Sequence, residues 1–95
     1  MANPTQITIQ TLLNMYNSIA PVSTAEGVSN AINWFNTVEV FCLENPEDVP
    51  NGNTIIFYCE ECARNTKVSD TDYTKVNNYL FHVYSMLYAI TQQIQ

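Results

Sequence analysis

Residues 71–93 repeat apolar side chains every three or four positions, the spacing that places them on one side of an α-helix. The main stripe consists of Val76, Tyr79, Val83, Leu87, Ile90 and Ile94. A second stripe of Phe81, Tyr84 and Tyr88 lies about 120° away around the same helix. The apolar side chains thus cover more than half of the circumference. Such a helix is either central in a bundle or shared with a partner.

Two earlier segments show the same periodicity. One predicts a helix over 5–19 that ends before Pro21, and the other a helix over 24–44 that ends before Pro46. The predicted stripe of the second helix consists of Val28, Ile32, Phe35, Val38 and Cys42. Candidate residues at the helix starts are Pro4 for the first helix, Ser23 (with Glu26 in a capping box) or Thr24 for the second, and Ser69 or Asp70 for the last.

The segment "TIIFYCEECAR", residues 54–64, is ambiguous. As a helix it is capped by Asn53 or Thr54. As a strand it is rich in β-branched and aromatic residues, and 54–60 pairs with 37–43 in a hairpin. Neither segment alternates polar and apolar residues, so a hairpin would need cover on both faces, which favours the helix. We therefore predict an all-α, three- to four-helix bundle forming a single domain over 1–95, with an α+β fold containing the hairpin as the alternative.

Nine acidic residues against three basic ones give a net charge of −6. Nucleic-acid binding requires many Lys and Arg side chains to neutralise phosphates, so we expect no direct binding to DNA or RNA. Charged residues make up only 13% of the chain, about half the usual fraction. Amides and hydroxyls replace them, including twelve Asn and ten Thr. Because uncharged polar groups cost less to desolvate than charges, this composition favours a surface that packs against protein.

The sequence predicts no contact with a membrane. The longest apolar candidate, "YLFHVYSMLYAI", is twelve residues long and contains a histidine, whereas a spanning helix needs about 20. A secretory signal has a basic start followed by an apolar run. The first ten residues contain neither a basic residue nor an unbroken apolar run. The expected location is inside a cell, or the host cytoplasm if the protein is viral, with free thiols.

The stretch "FYCEECARN" raises the question of a metal or redox site. Cys59 and Cys62 are spaced for chelation on a helix, but a structural zinc site needs four ligands, and the remaining two would be Cys42 and His82 from other helices. We predict no cofactor and interpret the three cysteines as small core residues. A zinc site made of these four residues is the alternative.

Catalytic chemistry has little support in the sequence. A reactive Cys-x-x-Cys pair needs a helix N-terminus that stabilises its thiolate, and the two glutamates within "CEEC" oppose this. The chain has one histidine, and its two glycines form no phosphate-binding loop. Adjacent carboxylates such as Glu60 and Glu61 do not face each other, as acid–base pairs require. We therefore expect a protein that is not an enzyme.

Aromatic residues outside the predicted core stripes are the positive signal for function. Trp34 and Phe41 lie seven residues apart on the second helix, and Phe81, Tyr84 and Tyr88 form the second stripe of the last one. Aromatic residues with few charges nearby are typical of interface centres. These five residues are the predicted partner-binding site, with a second core layer as the alternative interpretation.

The expected function is that of a small, acidic protein–protein interaction module that binds itself, another protein or both, with a homo-oligomer as the expected state. By analogy with other short acidic chains, it would be a phage or viral protein that inhibits or adapts a host protein. The alternatives are a coat or scaffold subunit that self-assembles and a zinc-stabilised adaptor.

Overall fold

A computed structural model describes residues 8–93, with side chains to residue 92. Four α-helices occupy most of this range: α1 (Ile9–Ile19), α2 (Ala25–Glu44), α3 (Gly52–Asn65) and α4 (Tyr73–Gln93). No strand occurs within residues 8–93, which confirms the all-α prediction. The alternative hairpin is wrong, because its two segments, 37–43 and 54–60, lie inside α2 and α3. Both segments bury side chains at helical spacing.

The start of α2 matches a predicted residue, whereas that of α1 does not. Thr8 has an extended backbone and caps α1, so this helix begins after the predicted position 5; residues 4–7 lie outside the described range. Thr8 and Thr11 form a reciprocal capping box, in which the Thr11 backbone N–H donates to Thr8 Oγ1 at 3.2 Å. For α2 the cap is Thr24, which accepts from the Gly27 N–H at 3.0 Å. Ser23, the other candidate, is not the cap.

The starts of α3 and α4 lie outside the predicted choices. α3 follows Asn51, which adopts the left-handed region at φ 60° and makes no side-chain cap; asparagine tolerates this conformation better than most residues. At α4, Asp72 accepts from the Lys75 N–H at 3.2 Å, so the helix begins later than a cap at Ser69 or Asp70 would place it. Asp70 instead closes the preceding loop by accepting from the Lys67 N–H at 2.8 Å.

α2 and α4 form the centre of the bundle. Each contacts the other three helices, and α2 with α3 is the most extensive pair, whereas α1 and α3 do not pack together in the described range. The core consists of Ile9, Leu12, Leu13, Val22, Val28, Ala31, Trp34, Phe35, Val38, Phe41, Cys42, Val49, Ile55, Cys59, Cys62, Val76, Leu80, Val83, Leu87 and Ile90. Of the two alternatives for α4, central in the bundle or shared with a partner, the structure shows the first, and α2 is central as well.

Polar contacts of Trp34 and Asn77 hold α1 and the connector between α1 and α2 in place. The Trp34 indole N–H donates to the Leu12 carbonyl at 3.0 Å and joins α2 to α1 inside the core. The Asn77 side chain of α4 makes two hydrogen bonds to Val22: its carbonyl oxygen accepts from the Val22 N–H at 2.7 Å, and its amide donates to the Val22 carbonyl at 3.0 Å. These bonds satisfy backbone groups of a loop that packs against the core. Among the described helices, none is long and apolar enough to cross a lipid bilayer.

Candidate functional site

Trp34 and Phe41, two of the five predicted partner-binding residues, belong to the core. Their side chains are 1% and 6% exposed. The prediction placed them off the α2 stripe, but α2 contacts three helices and is therefore buried on more than one side. Trp34 packs against Tyr16 and Phe35, with ring centroids 5.9 Å and 6.0 Å away. The alternative interpretation, a second core layer, describes these two residues correctly.

The other three predicted residues lie on α4 at the surface. Phe81 is 60% exposed and Tyr88 is 48% exposed, while Tyr84 is partly buried. Tyr84 stacks on Tyr16 of α1 with a centroid distance of 4.3 Å, and on Tyr88 at 6.1 Å with the rings 13° from parallel. The three tyrosines thus form a continuous row of rings from α1 onto the outer side of α4. A single substitution in this row would change the neighbouring rings as well.

α4 presents apolar residues on two opposite sides. Its buried residues are Val76, Leu80, Val83, Leu87 and Ile90. The sequence reading missed Leu80 and took Tyr79 in its place; Tyr79 is only partly buried and packs edge-on against Tyr58 at 6.3 Å. Ile94 lies outside the described range. The exposed residues Asn78, Phe81, Ser85, Tyr88 and Gln92 recur at the same three- and four-residue spacing, about 120° to 200° around the helix from the centre of the buried stripe. The outer side of α4 is therefore a second regular stripe.

Charge is segregated between the two sides of the bundle. All nine carboxylates lie between Glu26 and Asp72, in α2, α3 and their connecting loops. α1 has no charged side chain, and the only Lys or Arg of α4 is Lys75, in its first turn. We call the surface made by Tyr16, Phe81, Tyr84, Ser85 and Tyr88 the uncharged face.

The remaining exposed apolar residues are mixed with charges. Phe57 of α3 is 65% exposed and lies one turn from Glu60 and Glu61. Leu43 and Val40 of α2 are exposed next to Glu44 and Glu39 in the sequence. Single apolar side chains of this kind are normal on a protein surface. The uncharged face differs because its three tyrosine rings stack on one another.

Two grooves of the described surface lack convergent catalytic groups, and a third, of 400 Å³ beside the loop before α3, is lined by Cys42 but by no histidine or carboxylate. A shallow groove of 290 Å³ lies between α1 and α2, with Trp34, Met15 and Ile19 as its apolar part and amides and hydroxyls around them. A second, of 230 Å³, lies between α4 and the start of α3. Neither is lined by a histidine, a cysteine or a carboxylate. Acid–base or nucleophilic chemistry needs such groups within hydrogen-bond reach of a substrate.

The three cysteines are free thiols in the core. Burial raises the pKa of Cys42 and Cys62 to about 11, and burial together with the nearby Cys62 raises the pKa of Cys59 further. The thiolate, which is the reactive and metal-binding form, is therefore disfavoured at all three positions. The sequence reading attributed this effect to the neighbouring glutamates, but burial is the larger cause.

His82 lies in a different environment from the three cysteines, which are buried. Its side chain is exposed, and its ring lies 4.5 Å from that of Tyr58. Among residues 8–92, no group of three or more His, Cys, Asp or Glu side chains is placed to hold a metal ion. The set Cys42, Cys59, Cys62 and His82 is accordingly not assembled as a zinc site.

The uncharged face is thus the feature of the described surface that calls for a functional explanation. Comparison of the chain with protein-family models, with curated proteins and with solved structures gives no match.

Proposed function

We propose that this chain is a non-enzymatic protein–protein interaction module whose contact surface is the uncharged face. The observation that carries the proposal is the row of stacked tyrosines, with the exposed Phe81 one turn before Tyr84 on α4, a helix without carboxylates. Aromatic rings dominate the energetics of interfaces, and charged residues are depleted at interface centres. Both properties coincide here.

Other ligand classes fit this face less well. A nucleic acid would meet no cationic side chain on it and would be repelled by the net charge of −6. A small molecule would need a concave pocket with a few fixed polar groups, whereas Phe81 and Tyr88 project from the outer side of a helix. A protein surface of matching shape covers such rings without requiring charge.

A photo-crosslinker placed on the face tests the proposal. Ser85 is exposed between Phe81 and Tyr88 and is replaced by p-benzoylphenylalanine in the cells that make the protein; the control carries the same group at Phe57, in the acidic part of the surface. We expect protein adducts at position 85 that disappear when Phe81→Asp is added. The masses of the adducts are read by mass spectrometry. Absence of adducts at 85, or equal yields from both positions, contradicts the proposal.

The subunit count separates an interaction module from a coat or scaffold subunit. A module of this kind is a discrete monomer or small oligomer, whereas a structural subunit continues to assemble as its concentration rises. Self-association in excess of a dimer, measured by native mass spectrometry of the purified protein, would favour the structural subunit.

A further inference from the structure

We infer that four aromatic side chains form a relay that carries an oxidising equivalent, the absence of one electron, from the core to the outer side of α4: Trp34, Tyr16, Tyr84 and Tyr88. The inference goes beyond the proposed function and does not depend on a partner for the uncharged face. Three features of the described residues support it: the order of the rings, the surroundings of Trp34, and the positions of the two ends of the relay.

The four rings follow one another in the order in which they become exposed. Trp34 is 1% exposed, and its ring centroid lies 5.9 Å from that of Tyr16. The steps from Tyr16 to Tyr84 and from Tyr84 to Tyr88 are 4.3 Å and 6.1 Å, and both ring pairs are stacked. Tyr16 and Tyr84 are partly buried, and Tyr88 is 48% exposed. These separations are those of packed aromatic pairs, so an electron can pass from ring to ring in short steps.

The surroundings of Trp34 give the oxidising equivalent one exit among the described aromatic residues. The ring partners of Trp34 are Tyr16 and Phe35, and a phenyl ring is far harder to oxidise than a phenol. An indole that has lost an electron takes one from a phenol at neutral pH, because the phenol gives its proton to water in the same step. The Trp34 indole N–H donates to the Leu12 carbonyl, which is too weak a base to remove the proton. The oxidising equivalent therefore leaves Trp34 towards Tyr16.

The two ends of the relay suit a small oxidant and an exposed product. Trp34 is the member of the relay that lines the 290 Å³ groove between α1 and α2. The class of substrate is a one-electron oxidant that fits this groove, such as an organic peroxyl radical. It takes an electron from Trp34 and a proton from water and becomes a hydroperoxide. The Tyr88 hydroxyl loses the electron that restores the other three rings, and its proton goes to water. The product is a phenoxyl radical on Tyr88.

The first test follows the indole and phenoxyl radicals in time. Trp34 is the only tryptophan of the chain, so light at the long-wavelength edge of indole absorption excites it alone. A cobalt(III) ammine complex in solution accepts the electron and is reduced to cobalt(II). Transient absorption spectra distinguish the two radicals. We expect the indole signal to decay while the phenoxyl signal grows. Tyr16→Phe, which removes one hydroxyl and keeps the ring, should abolish that growth.

The matched control is Tyr79→Phe. Tyr79 is a partly buried tyrosine of α4 whose ring pairs with that of Tyr58, so this variant should transfer the oxidising equivalent as the wild type does. Far-UV circular dichroism establishes that both variants keep their helices. Phenoxyl growth that persists in Tyr16→Phe, or that is lost equally in Tyr79→Phe, overturns the relay. A wild type whose indole radical decays without any phenoxyl signal overturns it as well.

The second test locates the end of the relay. A nitroso spin trap present during illumination captures the phenoxyl radical, and mass spectrometry of the digested protein shows which residue carries the trap. We expect the trap on Tyr88 in the wild type and on Tyr16 in Tyr84→Phe, because the missing hydroxyl interrupts the relay. A trap spread evenly over all six tyrosines, or found on a cysteine instead, overturns this route. Neither test involves a partner, so failure of the relay leaves the crosslinking at position 85 as a separate test of the proposed function.

Discussion

The acidic side of the bundle and its uncharged side differ in what their exposed residues do. On the α2–α3 side, carboxylates surround single apolar residues such as Phe57, and the loop before α4 is held by charged side chains. On the α1–α4 side, three tyrosine rings stack on one another, and the two helices contain no carboxylate. Charge keeps the first side solvated, whereas the second side loses little on desolvation. A chain this small can therefore be well solvated and still keep one side suited to contact.

The largest effect is expected at Trp34, which connects the two sides. Trp34→Ala removes a fully buried ring and its hydrogen bond to the Leu12 carbonyl. We expect a loss of about 3–5 kcal/mol in the free energy of unfolding. Urea denaturation followed by circular dichroism measures it. The control is Phe57→Ala, which should change stability by no more than about 0.5 kcal/mol. A small effect at Trp34 would show that α1 is not packed on α2 as described.

An intermediate effect is expected at Asn77, on the uncharged side. Asn77→Ala leaves the Val22 N–H and carbonyl, in a buried residue, without their partners. We expect a loss of about 2 kcal/mol, because unpaired buried polar groups keep their desolvation cost. Asn78→Ala is the control: Asn78 is the exposed neighbour on the same helix, and alanine is the better helix former. Equal losses in both variants would mean that the bonds to Val22 contribute nothing.

The smallest effect is expected at Asp70, on the acidic side. The hydrogen bond from the Lys67 N–H, followed by contacts with Lys75, lowers the pKa of this carboxyl. A lowered pKa in the folded state gives stability that is present above the pKa of the unfolded chain and is lost as the pH falls through the folded value. Asp70→Asn should therefore be slightly less stable than wild type at pH 7, and the difference should disappear in acid. Glu60→Gln, which has an exposed side chain, should show neither change.

The helices could be predicted from the sequence because burial imposes a three- and four-residue spacing on each of them. The burial of Trp34 could not be predicted in this way. A helical wheel gives the direction of each side chain around one helix, but not the number of other helices that pack against that helix. Of the cap residues, Thr24 was among the candidates, but the other predicted caps were wrong, for a different reason. Several suitable side chains precede each helix, and at Asn51 a left-handed backbone conformation starts α3 without any side-chain cap.

The α4 part of the candidate site could be predicted from the sequence, whereas its contact with α1 could not. Phe81, Tyr84 and Tyr88 lie off the buried side of α4, and the spacing within one helix is enough to indicate this. The stacking of Tyr16 on Tyr84 joins residues 68 positions apart and requires the packing of α1 on α4. The absence of charge from both ends of the chain was visible in the sequence, but its significance depended on the first and last helices being neighbours.

The buried thiols can serve as native probes of local opening in the bundle. Cys42 lies on α2, and Cys59 and Cys62 lie on α3, all of them shielded from solvent and held in the protonated form. A thiol reagent can therefore reach them only while the helices packed around them undergo a transient separation. The rate at which the native chain is labelled then measures how often that separation occurs, and no probe has to be introduced.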